Sequence, residues 1–497
     1  MSGRRTGLVP SALPDQPAVA AVIPVIDEQT AIGDLVRGLR ASGACCVYVV
    51  DGGSRDGTRR VAMEAGGLVI DEARSGYGRA CLTGAERALD PAASGHAHDV
   101  VAFLDGDGSC DPADLPVLIS ALSTADVAFG RRPARLLEPG AMPWHARLGN
   151  DLVAAVMSIR TGRPVHDMPP FKALRAPILA RLDLSDTGYG WTTQLVGRVI
   201  GEPTIRFREL PVRFRRRQGG TSKVSGSWRA SMAAGRAMVG RAWSETAARP
   251  VLGLMAKAPG PGRAKTRLAA ELGDEATTAF WTACVADTAD GSLEASRAAR
   301  LTPLAMLPSN ADVDAIVRLI GPAWIPIVQA RPGLAAALVD VFLAAFDRGA
   351  DRAIAVAGDA PGLPPARIEA AMASLDRGPR GAVLGPADDG GYHLVGARWR
   401  QVPRATPAPV RRRLRRNLAG RLRRAFAESA VGGSTALDAA RTGLESAGWR
   451  VVTVESWPDV DTVSDLRSLA ARLEADGRWA PRTAEWLRRR RAEIEGA

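Results

Sequence analysis

The sequence predicts an α/β protein of two domains in tandem, each built on a mostly parallel sheet. Three observations lead there. Short apolar runs alternate with longer stretches of helical period, as repeated βαβ units require. The pattern restarts at Val251-Leu252-Gly253-Leu254-Met255, after a joint near residues 245–250. A chain of 497 residues also exceeds what one hydrophobic core organises, so size alone calls for division.

Taken in order, strands are expected at 18–24, 46–50, 67–70 and 100–104. Between them, 30–41, 57–65 and 78–89 carry apolar residues at helical spacing. After the restart at 251–255, strands follow near 302–306, 353–357, 381–384 and 450–454. The expected organisation is a flexible tail over 1–16, a first domain over 17–245, a second over 246–475 and a charged C-terminal helix over 476–497. From Gly226 to Trp243, Trp228, Met232, Met238 and Trp243 stand among Arg229, Arg236 and Arg241. That is a basic amphipathic helix, which either lies on a membrane surface or buries its tryptophans between domains.

Composition excludes several classes. Five cysteines, odd in number and not in metal spacing, predict neither a disulfide framework nor a zinc site, and a reducing compartment follows. The apolar stretch Ala18 to Ile26 is interrupted by Pro24 and falls far short of the ~20 residues that span a bilayer. With no signal peptide or membrane span, the expected location is cytoplasmic, with the amphipathic helix allowing peripheral attachment at the inner face of the membrane. A net charge of +12 fits phosphate-bearing partners. Only four of the 65 basic residues are lysines (Lys172, Lys223, Lys257 and Lys265), so the excess reflects arginine usage. The arginine runs at 411–416 and 488–491 lack interleaved aromatic residues and read as solvated helix faces, so no nucleic-acid partner is expected.

The chemistry starts at Val100 to Ser109, where an apolar run delivers Asp105 and Asp107 onto Gly106 and Gly108. Carboxylates are hard ligands for Mg²⁺ or Mn²⁺, and an ion so held can bridge the phosphates of a nucleotide-sugar. Alone, Asp-Gly-Asp is equally an ordinary turn. The second strand, further upstream, ends in Asp51-Gly52-Gly53-Ser54, however, and the first strand runs through Pro24 into Asp27 and Glu28. Three acidic strand ends then converge where open α/β sheets bind ligands.

Residues 17–245 resemble the family 2 glycosyltransferases of GT-A fold, in the branch of the polyprenyl-phosphate (dolichyl-phosphate) sugar synthases. The resemblance rests on Ile23-Pro24 with Glu28, Val50-Asp51 through Asp56-Gly57-Thr58, Gly76-Tyr77-Gly78-Arg79-Ala80, Leu104-Asp105-Gly106-Asp107 and Gly130-Arg131-Arg132. It continues through His166-Asp167, Phe171-Lys172-Ala173-Leu174-Arg175, Tyr189-Gly190-Trp191-Thr192, Arg217 and Gly220-Thr221-Ser222-Lys223. It implies a Rossmann-like GT-A sheet and a nucleoside-diphosphate sugar donor. By the same resemblance Asp51 and Glu28 recognise the nucleoside, with Pro24 and Arg79 also on the donor side. Asp105 lies near the ribose or metal and Asp107 on the metal, while Arg132, Arg217 and Lys223 hold phosphates. Where relatives often have a glutamate the chain has Gln194, an amide that cannot act as a base, which favours an acceptor that is already ionised, such as a polyprenyl phosphate. Asp167 stays open as a base.

The second domain opens with Lys257-Ala258-Pro259-Gly260-Pro261-Gly262-Arg263-Ala264-Lys265-Thr266-Arg267. It is no Walker A loop, because Ala264 stands where a glycine is required. A glycine-rich turn carrying Lys257, Lys265 and Arg267 can nonetheless hold phosphate. With Gly358-Asp359, Asp388-Asp389-Gly390-Gly391-Tyr392 and Asp459-Val460-Asp461, residues 250–470 resemble the DUF2064 group of GT-A-like transferases, relatives of nucleotidyltransferases. The resemblance implies Asp359 and Asp461 as metal ligands, Lys265 and Arg267 on phosphate, and Gly390, Gly391 and Tyr392 lining a pocket. The arginine-rich 401–430 departs from that group. Two readings follow: a bifunctional transferase whose rear domain makes the donor that the front one uses, or a nucleotide-binding scaffold with one or both sites inactive.

Overall fold

A computed structural model describes residues 13–218, 238–427 and 434–496. They form two compact units that divide between Ala247 and Ala248. In the front unit seven strands form one sheet: β1 (Val19–Val25), β2 (Cys46–Asp51), β3 (Leu68–Asp71), β4 (Val100–Phe103), β5 (Val127–Arg131), β6 (Lys172–Arg175) and β7 (Phe207–Pro211). Their order is β3-β2-β1-β4-β6-β5-β7, and only β6 runs antiparallel to its neighbours. The pleat sends alternate residues of β1 to opposite faces, so Ala20 and Val22 enter one core while Val19, Ala21 and Ile23 enter another. A strand buried on both faces must be apolar throughout, which is why β1 reads as a continuous run.

The rear unit repeats the plan. Strands β8 (Val251–Met255), β9 (Thr302–Leu307), β10 (Ile325–Val328), β11 (Arg352–Ala357), β12 (Gly381–Pro386), β13 (Tyr392–Arg398) and β14 (Arg450–Thr453) pair in the order β10-β9-β8-β11-β13-β12-β14. Here β13 is the antiparallel strand. The units differ in how that strand is reached. Helix Trp144–Thr161 intervenes between β5 and β6, whereas β12 and β13 form a hairpin closed by Ala387 to Gly391.

The fold is α/β with two mostly parallel sheets, as expected, and the expected strands all form. Strands β5, β6, β7, β10 and β13 are additional. The stretch from 476, expected as one charged helix, holds two helices, Pro481–Arg489 and Arg491–Gly496. Leu487 and Ile494 tuck them into a core with Phe280 and Leu466. The arginine-rich segment forms helix Ala408–Ala425, which buries Leu418, Ala419, Leu422 and Ala425. Its Arg411 donates to the carbonyls of Phe346 (2.9 Å) and Asp347 (2.8 Å), and Arg415 to the Asp347 carboxylate at 2.8 Å. These arginines satisfy and neutralise the C-terminal end of helix Leu334–Asp347. That is an architectural use of the charge on Arg411 and Arg415. Of the amphipathic segment, only the part from Met238 is described. There Ala242 is buried, Trp243 is exposed, and the Arg160 guanidinium lies 3.8 Å from the Trp243 ring centroid.

Candidate functional site

In each unit the acidic and basic residues singled out from sequence collect at the carboxyl ends of the parallel strands. In the front unit, Glu28 follows β1, Asp107 follows β4 and Arg217 comes after β7. Arg217 spans the two acids: its Nη2 donates to Glu28 Oε1 at 2.9 Å, and its Nε lies 3.3 Å from Asp107 Oδ2. Asp107 Oδ1 is aimed by Ser109, which donates through its backbone N–H (3.0 Å) and hydroxyl (2.6 Å). Gly106 allows the strand exit to press against β1, where a Cβ would stand 2.5 Å from Val25 Cγ1.

Asp105 sits deeper. Its Oδ1 accepts from the Tyr77 hydroxyl at 2.9 Å. Burial, and next the Asp107 charge, push its carboxyl above the usual range, against the pull of the Lys172 ammonium. Lys172 is fully buried, donates to Pro169 O and Thr192 Oγ1 at 3.1 Å each, and has its pKa lowered by burial. Neither Tyr77 nor Lys172 was singled out for a role from sequence. The signal was there for Lys172, a rare lysine inside an apolar run. Arg79 enters through helix Tyr77–Leu89, whose first turn leans on 186–188: Gly78 N–H donates to Gly188 O and Arg79 N–H to Thr187 O. A side chain at Gly78 would collide with the Asp186 carbonyl oxygen.

Four expected roles meet a different geometry. Asp51 has no exposed surface; its carboxylate takes the Ser54 N–H and hydroxyl and the Arg59 guanidinium and so shapes the turn, and a nucleoside role has to compete with these partners. Asp167 and Arg132 are locked together: Arg132 Nη2 donates to Asp167 Oδ1 at 2.6 Å, Nε and the backbone N–H donate to Oδ2, and Asn150 and Met168 O accept from the same guanidinium. Burial disfavours the Arg132 charge, and Asp167 more than offsets it. A base role for Asp167, or a phosphate role for Arg132, has to compete with this pair. Gln194 is buried, with Oε1 accepting from Ser185 N–H (2.8 Å) and Asp186 N–H (2.9 Å) and Nε2 donating to Ser185 Oγ and Glu245. Its amide is explained by loop anchoring beside an acid, which removes the mechanistic weight placed on it. Pro24 lies within β1 opposite Val50. Lys223 lies outside the described residues.

Beside the Arg132–Asp167 pair is a cleft of about 210 Å³ lined by Arg131, Arg147, Asn150, Asp151 and His166 among others. Helix Trp144–Thr161 forms part of its wall and turns an apolar stripe outward. Trp144, Leu148, Leu152 and Ile159 are 78%, 62%, 53% and 69% exposed. Such a stripe, on one face of one helix, is what a soluble surface ordinarily avoids.

In the rear unit, Lys265 precedes helix Thr266–Leu272 in a left-handed conformation (φ 51°). Its Nζ reaches Asp359 Oδ2 at 2.6 Å, Asp459 Oδ1 at 2.6 Å and Asp461 Oδ1 at 2.9 Å. Burial works against the ammonium, but the three carboxylates outweigh it and hold Lys265 well above its usual pKa. Burial opposes the Asp359 charge too, yet Lys265 holds that carboxyl low; burial and Asp359 push Asp459 up. The expected metal ligands Asp359 and Asp461 are thus brought together, around the lysine expected on phosphate. Arg267 stands 3.7 Å from Asp461 and is 77% exposed. Lys257 is exposed at the same strand ends, Gly262 has φ 68°, and Tyr392 begins β13 beside the end of β11. Gly390 (φ 86°) packs on Ser434, and Gly391 N–H donates to Asp389.

Comparisons with known proteins bear on the family of the chain. The family model "Glycosyl transferase family 2" matches residues 20–182, and "Uncharacterized protein conserved in bacteria (DUF2064)" matches 293–412. An uncharacterized glycosyltransferase of Mycobacterium tuberculosis is 36% identical over 219 residues, covering 44% of this chain and 94% of the relative. A polyprenol monophosphomannose synthase of Mycolicibacterium smegmatis is 29% identical over 225 residues, 41% of this chain and 80% of the relative. Among solved structures, glucosyl-3-phosphoglycerate synthase of M. tuberculosis, in complex with Mn²⁺, UDP and glucosyl-3-phosphoglycerate, matches with TM-score 0.37 at 17% identity over 47% of this chain and 83% of that one. The chain is a glycosyltransferase and belongs to glycosyltransferase family 2, with a DUF2064 region in its rear unit.

Proposed function

We propose that the front unit transfers a sugar from a nucleoside-diphosphate donor to a polyprenyl phosphate. The observation that carries the donor half is Arg217 suspended between Glu28 and Asp107, a cation and carboxylates at strand ends within one small crevice. Asp107, with Asp105 behind it, offers oxygen donors only, a set that suits Mg²⁺ or Mn²⁺ and not softer ions. A bound divalent ion would stabilise the charge on the leaving diphosphate. Arg217 supplies fixed positive charge on the same side, and Ser109 keeps Asp107 from rotating away. The reaction is a direct displacement at the anomeric carbon, with inversion. A phosphate monoester needs no base, because its second pKa is near ~6.

The acceptor half rests on the exposed stripe Trp144, Leu148, Leu152 and Ile159 beside the basic cleft at Arg131, Arg147 and His166. Apolar side chains suit an isoprenoid chain or bilayer surface, and the arginines suit its phosphate. Among the described residues no helix is long and apolar enough to cross a membrane, so a peripheral contact through this stripe is the reading supported. The similarity to a polyprenol monophosphomannose synthase points the same way. The test is transfer of radiolabelled sugar from a panel of nucleoside-diphosphate sugars to polyprenyl phosphate in vesicles with Mg²⁺ or Mn²⁺. Asp107→Ala should abolish it; transfer to a free hydroxyl acceptor but not to the lipid phosphate would overturn the acceptor assignment.

For the rear unit we infer a nucleotidyltransferase-like role, with Lys265 and Arg267 on phosphate and Asp359 and Asp461 on a metal. Pyrophosphate release from nucleoside triphosphate and sugar phosphate by the full-length Asp107→Ala variant tests it. The closed Lys265 cage favours a second reading, in which this unit binds nucleotide without turnover; binding with no pyrophosphate release would support that.

A further inference from the structure

The front sheet has a second cluster of metal-type ligands at the edge opposite its crevice. Strand β2 begins at Cys46 and β4 at Val100, and both pair in parallel with β1. The segments preceding those two strands therefore flank the start of β1. Cys45 N–H and Sγ both meet Val19 O, at 2.9 and 3.2 Å, while the Asp99 carboxylate accepts from Ala18 N–H at 2.9 Å. This clamps Cys45-Cys46 against His96-Ala97-His98. One ligand atom from each of Cys45, Cys46, His96 and His98 lies within 4.8 Å of all the others. Cys45 Sγ is 3.5 Å from His96 Nε2, and the two imidazole centroids are 4.7 Å apart.

We propose that Cys45, Cys46, His96 and His98 bind a Zn²⁺ ion at the amino-terminal edge of the front sheet. Two thiolates and two imidazoles are the donor set of tetrahedral structural zinc, and they match neither Mg²⁺ nor Mn²⁺. Zn–S and Zn–N bonds of about 2.3 and 2.0 Å give tetrahedral edges of about 3.3–3.8 Å, so the four atoms need to contract by only about 1 Å. His98 shows the preparation best. The residue is 6% exposed, and Nδ1 donates to Ala88 O at 2.9 Å. That bond fixes the tautomer with a lone pair on Nε2, the arrangement found behind metal-bound histidines. Nε2 itself is buried and has no hydrogen-bond partner among the described residues. A buried acceptor left unmatched is rare, and a metal ion satisfies it. On binding, the two thiols release their protons to solvent and both imidazoles coordinate through lone pairs. The ion would tie the starts of two strands across β1, remote from Asp107.

The test uses the full-length protein, reduced, stripped with chelator and titrated with Co²⁺ and then Zn²⁺. One Co²⁺ per chain should bind with a thiolate-to-metal charge-transfer band and the intense visible bands of tetrahedral cobalt, and Zn²⁺ should bleach both. The carboxylate sites cannot give a thiolate band. Cys46→Ala and His98→Ala should lose the signal; since packing changes there can disturb folding, the exposed partners Cys45→Ser and His96→Gln serve as the decisive pair. Each should weaken Zn²⁺ binding by at least about tenfold while circular dichroism is unchanged. Absence of the band in the parent, its survival in both exposed variants, or a Cys45–Cys46 disulfide that persists under reductant would each overturn the proposal.

Discussion

The two units share one strand order and one functional edge, yet they distribute charge in opposite ways. In front, acids follow the first and fourth strands of the sheet (Glu28 and Asp107) and the cation, Arg217, follows the last. Behind, the cation, Lys265, follows the first strand, and the acids follow the fourth and the last (Asp359, Asp459 and Asp461). Only the acid after the fourth strand is common to both. The sheet fixes where chemistry can occur, and the loops decide what it is. The front arrangement leaves an arginine shared by two carboxylates, while the rear one closes three carboxylates on a single ammonium.

The sharpest way to break the comparison is at Lys265. Lys265→Met should destabilise the protein by about 3–5 kcal/mol in urea unfolding of the full chain, because it strands carboxylates in a poorly hydrated site. The loss should shrink toward acid pH, where those carboxylates take up protons. In the parent, Asp359 is held low, so its contribution is present above the ordinary Asp value of ~3.9 and is lost as pH falls through its depressed one. Lys265 is held high, so its contribution is present below ~10.4 and is lost only as pH rises past its elevated value. A loss that stays flat with pH would show that the three aspartates do not share the ammonium. Next in size, Asp107→Ala should lower sugar transfer by at least about 100-fold, with thermal unfolding little changed. Comparable pyrophosphate release by both proteins would sharpen the separation of the two sites. A smaller effect belongs to the scaffold: Gly78→Ala, forced against the Asp186 carbonyl, should cost about 1–3 kcal/mol, read as a lower unfolding midpoint. Least of all, Trp144→Ser with Leu148→Ser should leave stability within about 0.5 kcal/mol for each exposed site but reduce sedimentation with anionic vesicles. Unchanged sedimentation would remove the stripe from the acceptor side.

Fully buried parallel strands announced themselves in the sequence as apolar runs, and β1, β2, β4, β8 and β11 were legible for that reason. Strand β6, Lys172–Arg175, was not, because a lysine and an arginine bracket two apolar residues and only the fold shows Lys172 finding Pro169 O and Thr192. Strand β13 hid behind Gly390 and Gly391, read as pocket lining when they also close a hairpin. At the sites, residue type was legible and pairing was not. Nothing in the spacing tells that Arg132 is tied to Asp167, that Gln194 anchors 185–186, or that Lys265 sits among the acids it was expected to act beside. The Cys45-Cys46 and His96-His98 pairs carry no metal spacing either; parallel pairing with β1 is what joins segments so distant in sequence.

The edges of the two sheets have a consequence for making the protein. Each sheet ends in strands of four or five residues: β3 and β7 in front, β10 and β14 behind. An open edge is where a strand of another, incompletely folded chain can add to a sheet. Edges this short give a wrong strand few backbone hydrogen bonds to hold on by.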